Sequence, residues 1–266
     1  MNTKTHTMES WTPFPYAQDY AFTAGDVARR WERLHQGDAE PLPHDPAVLE
    51  AWALFHGGRF AEAARAGMAA GGAGITVANK ATIVYATYLE PSEARRLELF
   101  SQAAECARQQ AAAEPDNPNA WFWHAYALGR YAQGISVARA LAQGLTGQVR
   151  AGLDRTIALN ARHADARLAL AVFHAEVIDK VGEMVGSITH GARREDSLRL
   201  FDESFALHPH SVIGRIEHAN ALLMLGGAAH AARATELYEQ AAHADAADAA
   251  ERLAVELARM ELDDGA

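Results

Sequence analysis

Apolar residues recur along this chain at three- and four-residue intervals, and the strict alternation of a half-buried strand is nowhere sustained. Four segments resemble one another: "AAEPDNPNAW" (112–121), "ALNARHADAR" (158–167), "ALHPHSVIGR" (206–215) and "AAHADAADAA" (241–250), with starts 46, 48 and 35 residues apart. In each, an Ala/Leu helix end runs into a short polar turn and a new helix begins. Proline marks the joint in the first and third, with Asp and Asn beside it in the first, which is the chemistry of helix stops and starts. A single helix pair cannot bury its own apolar face, so repeated pairs stack. The predicted fold class is therefore all-α, an α-solenoid of antiparallel helix pairs with about 4–5 repeats and lengthened helices. The repeat domain is placed at 46–245. Residues 1–45 form an N-terminal extension and cap, with one helical patch near 25–36 between proline-rich ends. Residues 246–266 form a capping helix and tail, with Leu253, Leu257 and Met260 on one side.

The small and aromatic positions have the pattern that close helix packing needs, a small side chain beside a large one that fills the gap. Ala51, Ala125, Ala171 and Ala219 are the small residues of the first helices. Trp121 opens one repeat, and "GRFAEA" (58–63), "DSLRLFDESFALHP" (196–209) and "ATELYEQAA" (234–242) supply the turn glycine and second-helix aromatics. On these residues the chain resembles the tetratricopeptide repeat over roughly 45–245. "NPNAWFWHAYALGRYAQGIS" (117–136), "HAEVIDKVG" (174–182) and "GRIEHANALLML" (214–225) are similar to the tetratricopeptide component associated with TRAP-type transporters and to related bacterial proteins. That component is an exported, trimeric lipoprotein with a ligand cavity; this sequence has no lipid-attachment cysteine near residue 1. The resemblance implies a concave groove lined by one stripe of each first helix. Carried onto this sequence, the stripe is Asn119, Phe122, Tyr126 and Arg130 in one repeat and Asp165, Leu168, Val172 and Glu176 in the next. It is Ile216, Asn220 and Met224 in the third, and Trp52, Phe55 and His56 in the first.

An apolar, aromatic wall with few polar groups suits a small ligand or a peptide. Arg130 and Glu176 either contact that ligand or pair with each other. Lys80 is the only charge between Arg65 and Glu90; it is read as snorkelling to solvent, with a buried carboxylate or the groove as the alternatives. Two insertions, 134–148 and 181–193, contain glycines and apolar residues, and read as a lid over the groove or as lengthened helices with a flexible joint. His174 and Glu176 point about 200° apart on a helix and cannot chelate one ion. His174 reads as a core histidine with a hydrogen-bonding partner.

Composition narrows the chemistry. A net charge of −10 and pI near 5.7 oppose a phosphate backbone, and the Arg95-Arg96 and Arg193-Arg194 pairs read as solvated helix-end charge, so nucleic acid is not an expected partner. Cys106, the only cysteine, reads as a packed thiol. The longest uncharged runs, 66–79 and 219–232, are too short to cross a bilayer, and no secretion signal is evident; the chain reads as soluble and cytoplasmic. The 13 histidines are scattered with no i, i+4 pair, and "HPH" at 208–210 reads as an exposed turn. No serine-nucleophile, dinucleotide or phosphate-loop signature is present, and no cofactor is expected. The sequence thus points to a non-catalytic binding protein. It would hold a protein or peptide partner or a small organic ligand at Asn119, Phe122, Tyr126, Arg130, Leu168, Val172, Glu176, Asn220, Met224 and Lys80. The rivals are a self-assembling scaffold (a homo-oligomer, for which the transporter-component resemblance implies a trimer) and, last, an enzyme using His124, His163 or His174 with Glu176.

Overall fold

The computed structural model describes residues 11–264 and contains helices and no strand among them. The outer parts of the extension and tail, residues 1–10 and 265–266, lie outside the described residues. After α1 (Ala24–Leu34), the helices are α2 (Pro46–His56), α3 (Phe60–Ala70), α4 (Gly74–Tyr88), α5 (Glu93–Ala113), α6 (Pro118–Gln133), α7 (Val137–Ala142) and α8 (Leu145–Leu159). They continue as α9 (Ala164–Val181), α10 (Glu183–His190), α11 (Arg194–Leu207), α12 (Val212–Gly226), α13 (Ala231–Ala242) and α14 (Ala249–Asp264). Local chemistry sets many of the starts. Thr23 and Asp26 form a capping box on α1, Asp45 caps α2 ahead of Pro46, and Asn117 caps α6 ahead of Pro118. Gly182 separates α9 from α10 at φ 82°, a left-handed backbone that costs glycine little.

Neighbouring helices pack as hairpins: α2 with α3, α4 with α5, α6 with α8, α9 with α11, and α12 with α13. The four small residues noted above, Ala51, Ala125, Ala171 and Ala219, are fully buried. They let helices approach: a Cβ on Gly152 of α8 would lie 2.8 Å from that of Ala125 on α6. A close backbone approach joins α3 to α4, where a Cβ on Gly67 would sit 2.4 Å from the Gly74 carbonyl and 2.9 Å from the Ala78 nitrogen. Backbone cannot yield as a side chain does. Gly67→Ala is therefore expected to cost about 1–3 kcal/mol by forced separation of the pair, read as a lower urea midpoint.

First helices also touch one another: α2 packs on α4, α4 on α6, α9 on α12, and α12 on α14, while α8 bridges α6 to α9. The circuit closes where α14 meets the beginning of the chain. Arg33 on α1 makes a two-pronged ion pair with Glu251 at 2.7 and 2.9 Å, and Arg30 donates to the Ala247 carbonyl at 2.9 Å. His56 at the end of α2 bonds Asp248 at 2.6 Å. The main core runs from Phe14 to Leu253, and a second cluster joins α12, α13 and α14 around Ile216, Leu222, Leu237 and Val255.

The insertions take definite positions. Residues 134–148 form α7 and the start of α8, and Val137, Ala140 and Leu141 line the cavity described next. Residues 181–193 form α10, whose Met184 and Ile188 are 76% and 80% exposed.

Candidate functional site

The circuit of helices surrounds a cavity of about 270 Å³. One water needs roughly 10–15 Å³ on this measure, so the space is on the order of twenty times the smallest void that holds a water. Helices α3, α5, α11 and α13 contribute nothing to its lining, which comes from α2, α4, α6, α8, α9, α12 and α14 with the α7 and α10 insertions, the end of α1 and the segment after it, the α11–α12 turn and Asp248 just before α14.

The walls come from two stripes. On α6, Phe122, Tyr126 and Arg130 recur every four residues and share one face. On α9, Asp165, Leu168, Val172 and Glu176, at steps of three, four and four, also share one face. From residue 165 to 176 the stripe rises roughly 16 Å at 1.5 Å per residue, so the cavity is long, with apolar middle walls and polar ends. Gln133, Leu141 and Lys180 are exposed lining residues and mark its mouth; Asp38 and Asp248, both buried, lie at its base.

The base is a hydrogen-bonded network of buried charge. Lys80 does not snorkel to solvent, correcting the expectation from its sequence context: its Nζ donates to Asp38 Oδ2 at 2.6 Å. The ammonium also lies 5.4, 5.2 and 5.7 Å from the rings of Trp52, Phe55 and Trp123. The reason is reach: α4 is covered by neighbours all round, and the nearest acceptor is the carboxylate of the segment after α1. His35 Nδ1 donates to Asp38 Oδ1 at 3.0 Å. Burial works against the Asp38 carboxylate, but Lys80 and His35 outweigh it and hold its pKa well below the usual range. Burial likewise opposes charge on Lys80, and Asp38 overcomes it.

The network continues outward. Burial lowers His35 to about 4, so its ring is neutral, and its Nε2 accepts from His56 Nε2 at 3.3 Å. The other nitrogen of His56 faces Asp248 Oδ2. Burial works against the Asp248 carboxylate, but its hydrogen bond to His56 helps hold its pKa below the usual range. Asn119 donates from Nδ2 to the Asp38 carbonyl at 3.1 Å and to Glu40, and its Oδ1 accepts from His163 Nε2 at 3.0 Å. His163 in turn caps α9 through Nδ1, accepting from the Ala166 amide, and burial holds it neutral with a pKa of about 4. Burial and the neighbouring Asp38 charge push Glu40 up to about 8 and Asp165 up to about 7.

Nearer the mouth, Arg130 forms no ion pair with Glu176; the Glu176 carboxylate accepts instead from Gln133. Arg130 Nε is buried without a partner. Its charge is opposed by burial and favoured by Tyr126, Glu217, Tyr88 and Glu176, while burial raises the pKa of the Glu217 carboxyl and of both tyrosine hydroxyls.

Seven of the residues singled out in the sequence thus line one cavity: Lys80, Phe122, Tyr126 and Arg130, with Leu168, Val172 and Glu176. Three do not. Asn119 is wholly buried in the network beneath, Asn220 accepts from the Tyr238 hydroxyl, and Met224 faces solvent. On α12 the cavity takes Ile213 and Glu217, not the 216–220–224 stripe, because Ile216 turns into the cluster with α13 and α14. His208 is also not the exposed turn residue its sequence suggests: it is 8% exposed, lines the cavity, and neither ring nitrogen has a partner. His210 beside it is exposed. Sequence reasoning passed over Asp38, Glu40, Tyr88 and Glu217; only Glu217, a charge inside the apolar run of α12, leaves a local signal.

The candidate enzyme histidines do not converge on Glu176. His124 donates to the Ala104 carbonyl, His163 caps a helix, and His174 accepts from the Arg193 amide at 3.1 Å. Cys106 is half-buried, and burial pushes its thiol up. Among the described residues, no group of three or more His, Cys, Asp or Glu side chains is placed to hold a metal ion, and no helix is long and apolar enough to cross a membrane. No protein-family profile matches the chain, and no curated protein is significantly similar to it.

Proposed function

We propose that this chain is a non-catalytic, tetratricopeptide-like helical binding protein of the cytoplasm that holds a small organic ligand inside its circuit of helices. The observation that carries this reading is the cavity itself: about 270 Å³, walled by Phe122, Tyr126, Leu168 and Val172 and polar at both ends. A peptide laid along an open groove fits less well, because α14 closes on α1 and α2 and α7 lies at the mouth. Apolar contact would supply affinity and the polar ends orientation.

The test is native mass spectrometry of the untagged protein purified gently from its own host, which reads oligomeric state and any retained organic mass together. Tyr126→Ala and Arg130→Ala are expected to weaken retention at least tenfold while leaving the helical circular dichroism unchanged. Retention equal to the parent protein in both variants would remove this cavity from consideration. The exposure of Met184 and Ile188 on α10 supports a second reading, self-assembly through that helix, for which a clean monomer at high concentration is the opposing result.

A further inference from the structure

We propose that the cavity takes an organic amine, with its ammonium group seated at Asp165 and His208 at the base and its apolar body along the Phe122–Val172 wall. The proposal rests on the cavity-binding reading above and names the ligand class.

It follows first from a charge inventory. Three carboxylates at the base have partners: Asp38 has Lys80, Glu251 has Arg33, and Asp248 has the His56 ring. Asp165 has none; among the described residues no ion pair or side-chain hydrogen bond reaches it, although its backbone amide is fixed to the Gly37 carbonyl at 3.0 Å. Its carboxylate is pressed against the same residue, since a Cβ on Gly37 would lie 2.3 Å from Asp165 Oδ1. Among the described residues that line that end of the cavity, Asp165 is therefore the one carboxylate without an ion pair. The cation Arg130 lies toward the other end, on α6, and stands among two acids of its own, Glu176 and Glu217.

His208 is the second, independent observation. A buried imidazole with both nitrogens unpartnered is costly, and this one lines the cavity. Burial, with Arg33 next, lowers it to about 4, so one of its two buried ring nitrogens is an acceptor without a donor. An ammonium carries three donors and no acceptor, which matches a carboxylate and an imidazole nitrogen together. A carboxylate-headed ligand would meet Asp38 and Asp165, and an alcohol would leave the charge unmatched.

Binding then moves a proton. Asp165 is faced by Asp38 and Lys80 and by Glu251 of α14, and burial with the Asp38 charge raises it to about 7. An arriving ammonium favours the carboxylate, so part of a proton leaves to solvent at neutral pH.

Octylamine, octanoate and octan-1-ol, matched in length, are the probes, titrated calorimetrically in two buffers of different ionisation enthalpy. Octylamine is expected to bind at least tenfold tighter than either of the others, with proton release near pH 7. Asp165→Asn should weaken octylamine at least tenfold and abolish that release, at unchanged helical content. Val172→Trp, which fills the wall, should abolish binding altogether. Octanoate binding as tightly as octylamine, an Asp165→Asn protein that binds octylamine normally, or octylamine binding that survives Val172→Trp each overturns the assignment. If none of the probes binds but the native protein retains a mass that Val172→Trp loses, the ligand class is wrong and the cavity reading stands. If none binds and no mass is retained, both fall.

Discussion

Replacing Asp38 by asparagine is expected to destabilise the protein by about 3–5 kcal/mol, the range for breaking one side of a buried ion pair. Asp38 is a shared anion: one oxygen takes the Lys80 ammonium at 2.6 Å and the other the His35 ring at 3.0 Å. An amide retains the shape but not the charge, leaving Lys80 in a cage of three aromatic rings without a counter-ion. Relief of Glu40 and Asp165, which the Asp38 charge raises, offsets part of the loss and places the result toward the lower end. Urea unfolding should show a reduced midpoint with an unchanged slope. The double variant Asp38→Leu, Lys80→Met, which removes both charges, should recover most of the stability. A loss under about 1 kcal/mol for the single variant would mean that water reaches Lys80 and the pair is not the anchor described.

Thermal stability should peak between about pH 6 and 7 and fall on both sides, most steeply below about pH 5. His35, His163 and His208 are lowered to about 4 in the folded protein. Unfolded, they bind protons near the ordinary value of 6.5, so the stability they contribute is complete above that pH and is lost as pH falls toward 4. Burial lowers His174 and His218 as well, adding to the acid limb. Glu40 and Asp165 work in the other direction. Raised to about 8 and about 7, they hold protons that the unfolded chain has released, so stability declines as pH rises from their ordinary values through the folded ones. At pH 5.5 the three histidines outweigh the two acids and stability rises with pH; above about pH 7 the acids dominate and it falls. Melting temperatures across pH 4.5–9 at constant ionic strength test this, and a curve flat from 5 to 8 would contradict the buried, neutral states of these side chains.

What was legible in the sequence follows the range of the interactions. Capping signals and the period of apolar residues are local, and α6 and α9 carry their Phe122–Tyr126–Arg130 and Leu168–Val172–Glu176 stripes on the face that spacing indicates. The α12 stripe was misplaced by one residue, a turn of about 100°, because α14 pulls Ile216 into a cluster that local pattern does not reveal. The base of the cavity was hidden for the same reason. The 35–40 segment reads as part of a polar cap, but its carboxylates meet partners 42 residues away at Lys80 and 79 away at Asn119. Lys80 and His208 were assigned to solvent on composition alone, and both are held inside by residues remote in sequence.

The closure between the two ends of the circuit has a kinetic consequence. The contacts that seal it join residues 192 and 218 apart, His56 to Asp248 and Arg33 to Glu251, whereas each helix hairpin is made from near neighbours. Loop-closure entropy is met before such distant pairs reward it, so hairpins form early and the seal comes late. The cavity has no base until Asp248 reaches His56, and a molecule that binds there recognises only the finished fold. Occupancy would slow the unzipping of α14 from α1 and α2 more than it speeds assembly, making residence inside the protein a brake on its unfolding.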